Sequence, residues 1–144
     1  MHFVTGGANN GKAKWVKAFY GLTEIHYWKS PSDKPKIPID VSRFYGNVVV
    51  LERMEEWIKG LTEDASLEEC RAIWRSLLGI WQSWESENKE RTVVIIGTDI
   101  TKGIVPLERE ERDWRDLTGW AYQDLTEAAD RVDVIWYGLN QQLK

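Results

Sequence analysis

The stretch Gly6-Gly7-Ala8-Asn9-Asn10-Gly11-Lys12 constrains this chain more than any other. It follows the short apolar run Phe3-Val4-Thr5 and leads into Ala13-Lys14-Trp15-Val16-Lys17-Ala18-Phe19-Tyr20, so it reads as strand, glycine-rich turn and helix. Glycines at 6 and 11 with Lys12 directly after match the first seven residues of the phosphate loop G-x-x-x-x-G-K-[ST], in which backbone N–H groups and a helix N-terminus surround a polyphosphate. Position 13 breaks the match, because Ala13 stands where a hydroxyl should hold Mg²⁺. The residues therefore point to nucleotide binding with impaired or relocated metal ligation. The competing reading of the same residues is an ordinary glycine-rich connection between strand and helix.

A chain of 144 residues is the size of one domain, and residues 1–144 are read as a single nucleotide-binding unit. No apolar stretch approaches the ~20 residues of a membrane span, and no basic region followed by a long apolar core marks a secretory signal. With one cysteine, Cys70, the chain has no internal disulfide, which fits a cytoplasmic location. A net charge of −4 gives no general attraction to nucleic acid, whose binding draws on a basic face, so nucleic acid is not an expected partner.

Beyond the loop, Glu24-Ile25-His26-Tyr27-Trp28 reads as a second strand. The segment from Lys29 to Asp40 holds three prolines among charges and reads as a loop free to move. Asn47-Val48-Val49-Val50-Leu51 is a continuous apolar run, as in a central strand buried on both faces, and it finishes at Glu52. Arg53 to Gly60 forms a short helix. Ser66 and Glu69 make a capping pattern that starts a long helix with an apolar stripe of Cys70, Ile73, Trp74, Leu77, Ile80, Trp81 and Trp84. Thr92-Val93-Val94-Ile95-Ile96-Gly97 is a second buried strand, and Leu107 to Asp130 is helical. Val132 to Tyr137 is a strand that turns at Gly138-Leu139-Asn140 into a short terminal strand, Gln141 to Leu143. Strands alternating with helices imply an open, mostly parallel sheet covered on both faces.

The nine tryptophans invite a reading as a ligand platform. Trp74, Trp81 and Trp84 share one stripe with aliphatic residues, which is the pattern of a core or a subunit interface. His2 and His26 are isolated on strand patterns, without neighbours at metal-ligand or catalytic-triad spacing. Glu108 to Asp113 reads as a solvated helix start, from which Arg109 or Arg112 could reach a phosphate.

Val93 to Pro106, continuing through Arg112-Asp113-Trp114-Arg115-Asp116-Leu117-Thr118-Gly119 to Gln123, Ala128-Ala129-Asp130 and Gly138, resembles the C-terminal half of the bifunctional cobinamide kinase/cobinamide-phosphate guanylyltransferase family. There a strand ends in Asn-Glu-Val-Gly, followed by Gly-Ile-Val-Pro, an Arg-Asp-Leu-Ala-Gly helix and a terminal hairpin. Val4-Thr5-Gly6-Gly7-Ala8 is similar to that family's Val-Thr-Gly-Gly-Ala opening. The resemblance implies a three-layer α/β fold with a phosphate-loop NTPase (RecA-like) core and a C-terminal hairpin. It also implies an adenosylcobinamide kinase using GTP or ATP on the hydroxyl of a corrinoid side chain, and a homo-oligomeric ring of three for which the tryptophan-rich helix would be the contact.

Departures accompany the matches. The segment Ser30 to Ser42 lacks the histidine that family members guanylylate, so the resemblance implies a kinase without the guanylyl transfer step. Ala13 replaces the loop hydroxyl, while Asp99 stands for the Glu of Asn-Glu-Val-Gly and Glu52 matches the Glu of the family's Leu-Leu-Glu-Cys. The implied nucleotide contacts are Gly6, Gly7, Ala8, Asn9, Asn10, Gly11, Lys12, Ala13 and Ser30. Lys12, Glu52 and Asp99 are the implied catalytic residues, with Glu52 or Asp99 holding a weakly ligated Mg²⁺. The alternative function is a degenerate nucleotide-binding or assembly protein that keeps the fold without turnover.

Overall fold

A computed structural model of the chain describes residues 1–22, 27–33, 36–43, 45–63 and 65–144. The elements in order are β1 (His2–Thr5), α1 (Lys12–Tyr20), β2 (Tyr27–Lys29), β3 (Val48–Leu51), α2 (Met54–Leu61), α3 (Leu67–Ser86), β4 (Thr92–Ile96), α4 (Arg109–Ala128), β5 (Arg131–Trp136) and β6 (Leu139–Gln142). They build one six-stranded sheet of order β2-β3-β4-β1-β5-β6, parallel except for the antiparallel β5–β6 hairpin. β4 is inserted between the loop-bearing β1 and β3, as a RecA-like core requires. The fold is the three-layer α/β architecture expected of a phosphate-loop NTPase.

Strand alternation decides which layer each residue enters. Phe3, Val49, Leu51, Val93, Ile95 and Val132 face the layer of α2, α3 and α4, whereas Val4, Val50, Val94, Ile96 and Ile135 face α1 through Val16 and Trp15. Both faces being covered, the central strands are apolar throughout, and the runs at 48–51 and 92–96 were legible for that reason.

Several boundaries differ from the sequence expectation. β2 covers Tyr27–Lys29, and residues 24–26 of the expected strand, His26 included, lie outside the described residues. α2 starts at Met54, because Arg53 is its N-cap with φ 56. α4 spans Arg109–Ala128, and β6 starts at Leu139, since Tyr137 and Gly138 (φ 50 and 81) form a tight turn. α3 starts at the expected capping box, in which Ser66 Oγ accepts from Glu69 N and Glu69 Oε2 accepts from Ser66 N.

The stripe of α3 is narrower than expected. Cys70, Trp74, Leu77, Leu78, Trp81 and Trp84 are buried, but Ile73 and Ile80 point outward because each lies about 100° around the helix from the tryptophan that follows it. The tryptophans are core of this chain, so this helix presents no tryptophan surface to a neighbouring subunit. Residues 37–41, at the end of the proline-rich segment, are also held in place: Ile37 and Val41 are buried, and Trp81 Nε1 donates to Pro38 O at 3.1 Å. No helix among the described residues is long and apolar enough to cross a membrane.

Candidate functional site

The glycine-rich loop lies at the carboxyl end of β1, with Gly6 pressed against β5. Gly6 has φ 140, and a Cβ there would come within 2.4 Å of Ile135 O, so only glycine fits. Gly11, φ 86, is the N-cap of α1. Asn10 ties the loop to the β5–β6 turn: its Oδ1 accepts from Tyr137 N at 3.0 Å and its carbonyl from Gly138 N at 2.9 Å.

Lys12 is buried inside the loop it follows, donating through Nζ to Gly7 O at 2.7 Å and Gly6 O at 3.3 Å. An ammonium has three donors, so one remains for an incoming ligand. Burial pushes the Lys12 pKa below its usual 10.5, and the nearby Glu55 carboxylate partly opposes that shift. α1 has no side-chain cap and no acid in its first turn, which instead carries Lys12 and Lys14. Cations at the positive end of a helix are unfavourable by themselves. An anion there would relieve both the uncapped N–H groups and the lysines.

A cleft of about 230 Å³ opens at this helix end, lined by Asn9, Asn10, Gly11, Lys12, Ala13, Lys14, Glu52, Arg53, Ile96 and Thr98. It is below the ~300–1,000 Å³ of a site that engulfs a whole small molecule, so it suits the phosphates of a nucleotide whose nucleoside lies outside. Glu52, at the end of β3, donates its N–H to Lys29 O at 3.0 Å, and its carboxylate accepts from Ser30 Oγ. Ser30 thus meets the cleft only through Glu52.

A second, wider cleft of about 630 Å³ opens on the opposite face of the sheet, beneath α4. Phe3, Thr5, Asp99, Thr101, Tyr122 and Gln123 are among its walls. Past β4 the chain alternates between the two spaces: Ile96 and Thr98 face the first, Asp99 and Thr101 the second. Asp99 N donates to Gly6 O at 3.1 Å, which fixes the aspartate directly behind the loop. Burial would raise the Asp99 pKa, but hydrogen bonds from Thr101 N (3.0 Å) and Oγ1 (2.7 Å), with Lys102 Nζ 3.4 Å away, outweigh it and hold the carboxyl below 3.8. Thr5 Oγ1, in the same wall, is a buried polar side-chain atom without a hydrogen-bond partner among the described residues.

Sequence reasoning missed Glu55. This buried residue in the first turn of α2 accepts at Oε2 from Thr98 N at 2.8 Å, and the Tyr122 hydroxyl lies 3.4 Å from the same oxygen and 3.1 Å from Thr98 O. It pins the end of β4 where the two clefts meet. Its sequence signal was an acidic residue just behind an apolar strand, overshadowed by Glu52. Arg112 donates to the carbonyls of Pro106 and Leu107, and Arg109 lies 3.8 Å from Asp113, so both serve α4 and its approach and neither lines these clefts.

The two carboxylates considered for Mg²⁺ thus line different clefts. The phosphate cleft offers one carboxylate, Glu52, which already accepts from Ser30, and position 13 supplies no oxygen. No group of three or more His, Cys, Asp or Glu residues is arranged to hold a metal among the described residues. A Mg²⁺ in the phosphate cleft would have one protein carboxylate, Glu52, and would depend on phosphate oxygens and water for its remaining octahedral ligands.

A protein-family model described as cobinamide kinase / cobinamide phosphate guanyltransferase matches residues 25–143. The match takes in β3, Glu52, Asp99, α4 and the hairpin, and starts after the glycine-rich loop and α1. No curated protein matches the chain.

Proposed function

The chain belongs to the cobinamide kinase / cobinamide phosphate guanyltransferase family, and from that premise we propose that it acts as a kinase, transferring the γ-phosphoryl group of GTP or ATP to the side-chain hydroxyl of a corrinoid. The family supports a cobinamide-related, nucleotide-using transferase of cobalamin biosynthesis. The kinase assignment rests above all on Lys12, buried within the glycine-rich loop with one ammonium donor left for a ligand.

In this reading Gly6 to Gly11 cradle the phosphates through backbone N–H groups, Lys12 neutralises β- and γ-phosphate charge, and the acceptor reaches the loop from the second cleft. The acceptor oxygen attacks the γ-phosphorus, the bond from that phosphorus to the β-bridging oxygen breaks, and the nucleoside diphosphate leaves. Asp99, ionised at neutral pH, orients the hydroxyl and takes its proton. With Asp99 and Glu127 in its walls, the second cleft suits a neutral, hydroxyl-bearing group and disfavours a second polyphosphate. Phosphoryl transfer is mostly positioning and charge neutralisation, so this set of residues suffices. The guanylyl step is absent from the proposal because residues 30–42 contain no histidine.

Calorimetry with GTP and ATP tests the reading. Lys12→Ala is expected to weaken binding by about 1.5–3 kcal/mol, the value of a hydrogen bond to a charged group. If neither nucleotide binds at millimolar concentration, the kinase is overturned. Binding without phosphorylation of cobinamide would decide for the second reading, a nucleotide-binding or assembly protein without turnover, which Ala13 favours.

The proposal includes self-assembly, as a ring of three by family resemblance. Ile104, Val105 and Leu107 before α4, and Tyr137 and Leu139 at the hairpin, are among the exposed apolar residues available for it. Light scattering at micromolar concentration is expected to give a multiple of the 16.8 kDa chain mass, and a strict monomer would count against assembly.

A further inference from the structure

Arg53 directly follows the β3 carboxylate and enters α2 with φ 56, a left-handed backbone that a non-glycine residue adopts only at a cost in strain. Three non-glycine residues among those described have positive φ: Asn9, Arg53 and Tyr137. All three belong to one place. Asn9 and Arg53 line the phosphate cleft, and Tyr137 N holds Asn10 of its loop.

The conformation is not explained by a contact that Arg53 makes. Its side chain gives α2 no cap and forms no hydrogen bond or ion pair with the described residues, although Glu52 and Glu56 are close in sequence. Every other arginine of the chain has a partner: Arg43 on Asp40, Arg71 and Arg75 on Asp124, Arg91 on Glu87, Arg109 near Asp113, Arg112 and Arg115 on backbone carbonyls, and Arg131 on Asp133. Arg53 lines the phosphate cleft, is exposed to solvent and has no protein partner among the described residues, so its guanidinium is free to take an anion that enters there.

We propose that Arg53 is a phosphate-binding residue that takes over charge neutralisation in a cleft offering a metal only the Glu52 carboxylate, so that this chain binds a nucleotide's polyphosphate without Mg²⁺. The inference rests on the phosphate-loop reading above and adds the source of positive charge. A guanidinium presents paired donors that match two phosphate oxygens, and it stays charged at any physiological pH. Together with Lys12 and Lys14 it makes three cations against the single carboxylate of Glu52 in the cleft walls. Ala13 then marks a change of strategy: with the oxygen at position 13 gone, charge at the phosphates comes from side chains on α1 and at the start of α2.

Calorimetric titration of the full chain with inorganic pyrophosphate, in EDTA and in excess Mg²⁺, tests this. The wild type is expected to bind in EDTA with an affinity that Mg²⁺ changes by less than about threefold, and Arg53→Ala to bind roughly tenfold or more weakly in EDTA. Arg53→Gly is the companion variant, since glycine adopts φ 56 without strain. It is expected to match or exceed the wild type in urea stability while showing the same loss of pyrophosphate, a combination that a purely structural role would not produce. Arg53→Lys should retain part of the affinity. Binding that requires Mg²⁺ and is unchanged in Arg53→Gly would overturn the role of Arg53 and leave the phosphate loop standing. No binding by the wild type in either condition would overturn both.

Discussion

Trp81→Ala is expected to lower the free energy of unfolding by about 3–5 kcal/mol, measured by urea denaturation, because it empties a fully buried aromatic site that neighbours cannot refill. Trp81 is 0% exposed, stands edge-on to Trp74 at 5.9 Å between ring centroids, and donates Nε1–H to Pro38 O. Removing it creates a cavity between α3 and the sheet and also frees the loop around Ile37 and Val41. Trp81→Phe keeps most of the ring and loses the hydrogen bond, so the bond itself accounts for only about 1 kcal/mol of its effect. Ile80→Ala, at the adjacent position but 43% exposed, is expected to cost less than about 1 kcal/mol. Equal effects at 80 and 81 would show that the buried stripe of α3 has been misassigned.

That contrast also marks how far the sequence could be read. Periodicity identified α3 and the packing role of its tryptophans, because a helix with one apolar face repeats every three to four residues. It could not separate Trp81 from Ile80, since both fall within the roughly 100° uncertainty of a stripe's edge. Nor could it show the indole N–H groups joining distant segments, with Trp74 on Ala121 O, Trp81 on Pro38 O and Trp114 on Glu55 O. The phosphate loop was legible because its residues are contiguous and its glycines answer to local backbone geometry. The clefts were not, because Glu52 and Asp99 come from different strands, and only the alternation of side chains past β4 sends Asp99 to the opposite face from Thr98. Arg53 looked like an ordinary first residue of a helix, since φ is invisible in a sequence. His2 looked isolated because its partner is 131 residues away.

That partner, Asp133, gives the second large effect: Asp133→Ala is expected to cost about 3 kcal/mol at neutral pH and to change the shape of the acid transition. Asp133 is fully buried and accepts from His2 Nε2 at 2.8 Å, Arg131 Nε at 2.6 Å and Nη2 at 3.2 Å, and Asn140 Nδ2 at 2.8 Å. Breaking a buried pair by removing one member costs about 3–5 kcal/mol, and the lower end applies because water still reaches Arg131, whose side chain is 32% exposed. Burial would raise the Asp133 pKa, but the bonds from Arg131, Asn140 and His2 outweigh it and leave the carboxyl below 3.8. An ionised acceptor at Nε2 requires the proton there, so a neutral His2 accepts at Nδ1 from the Tyr20 hydroxyl 2.6 Å away, whose own pKa burial raises to about 12. Burial also lowers the pKa of His2 below 6.5, against the pull of Asp133.

Both shifts are depressions, so both groups contribute stability that is present above their unfolded pKa values and lost as pH falls through the folded ones. The wild type is therefore expected to lose stability in two stages, below about pH 6.5 as His2 is forced to charge and below about 3.8 as Asp133 is protonated. In Asp133→Ala the second stage disappears. The first extends to lower pH, since His2 has lost the carboxylate that held its pKa up. Urea midpoints followed across that range distinguish the cases, and a variant whose profile merely runs parallel to the wild type would show that Asp133 and His2 are not coupled.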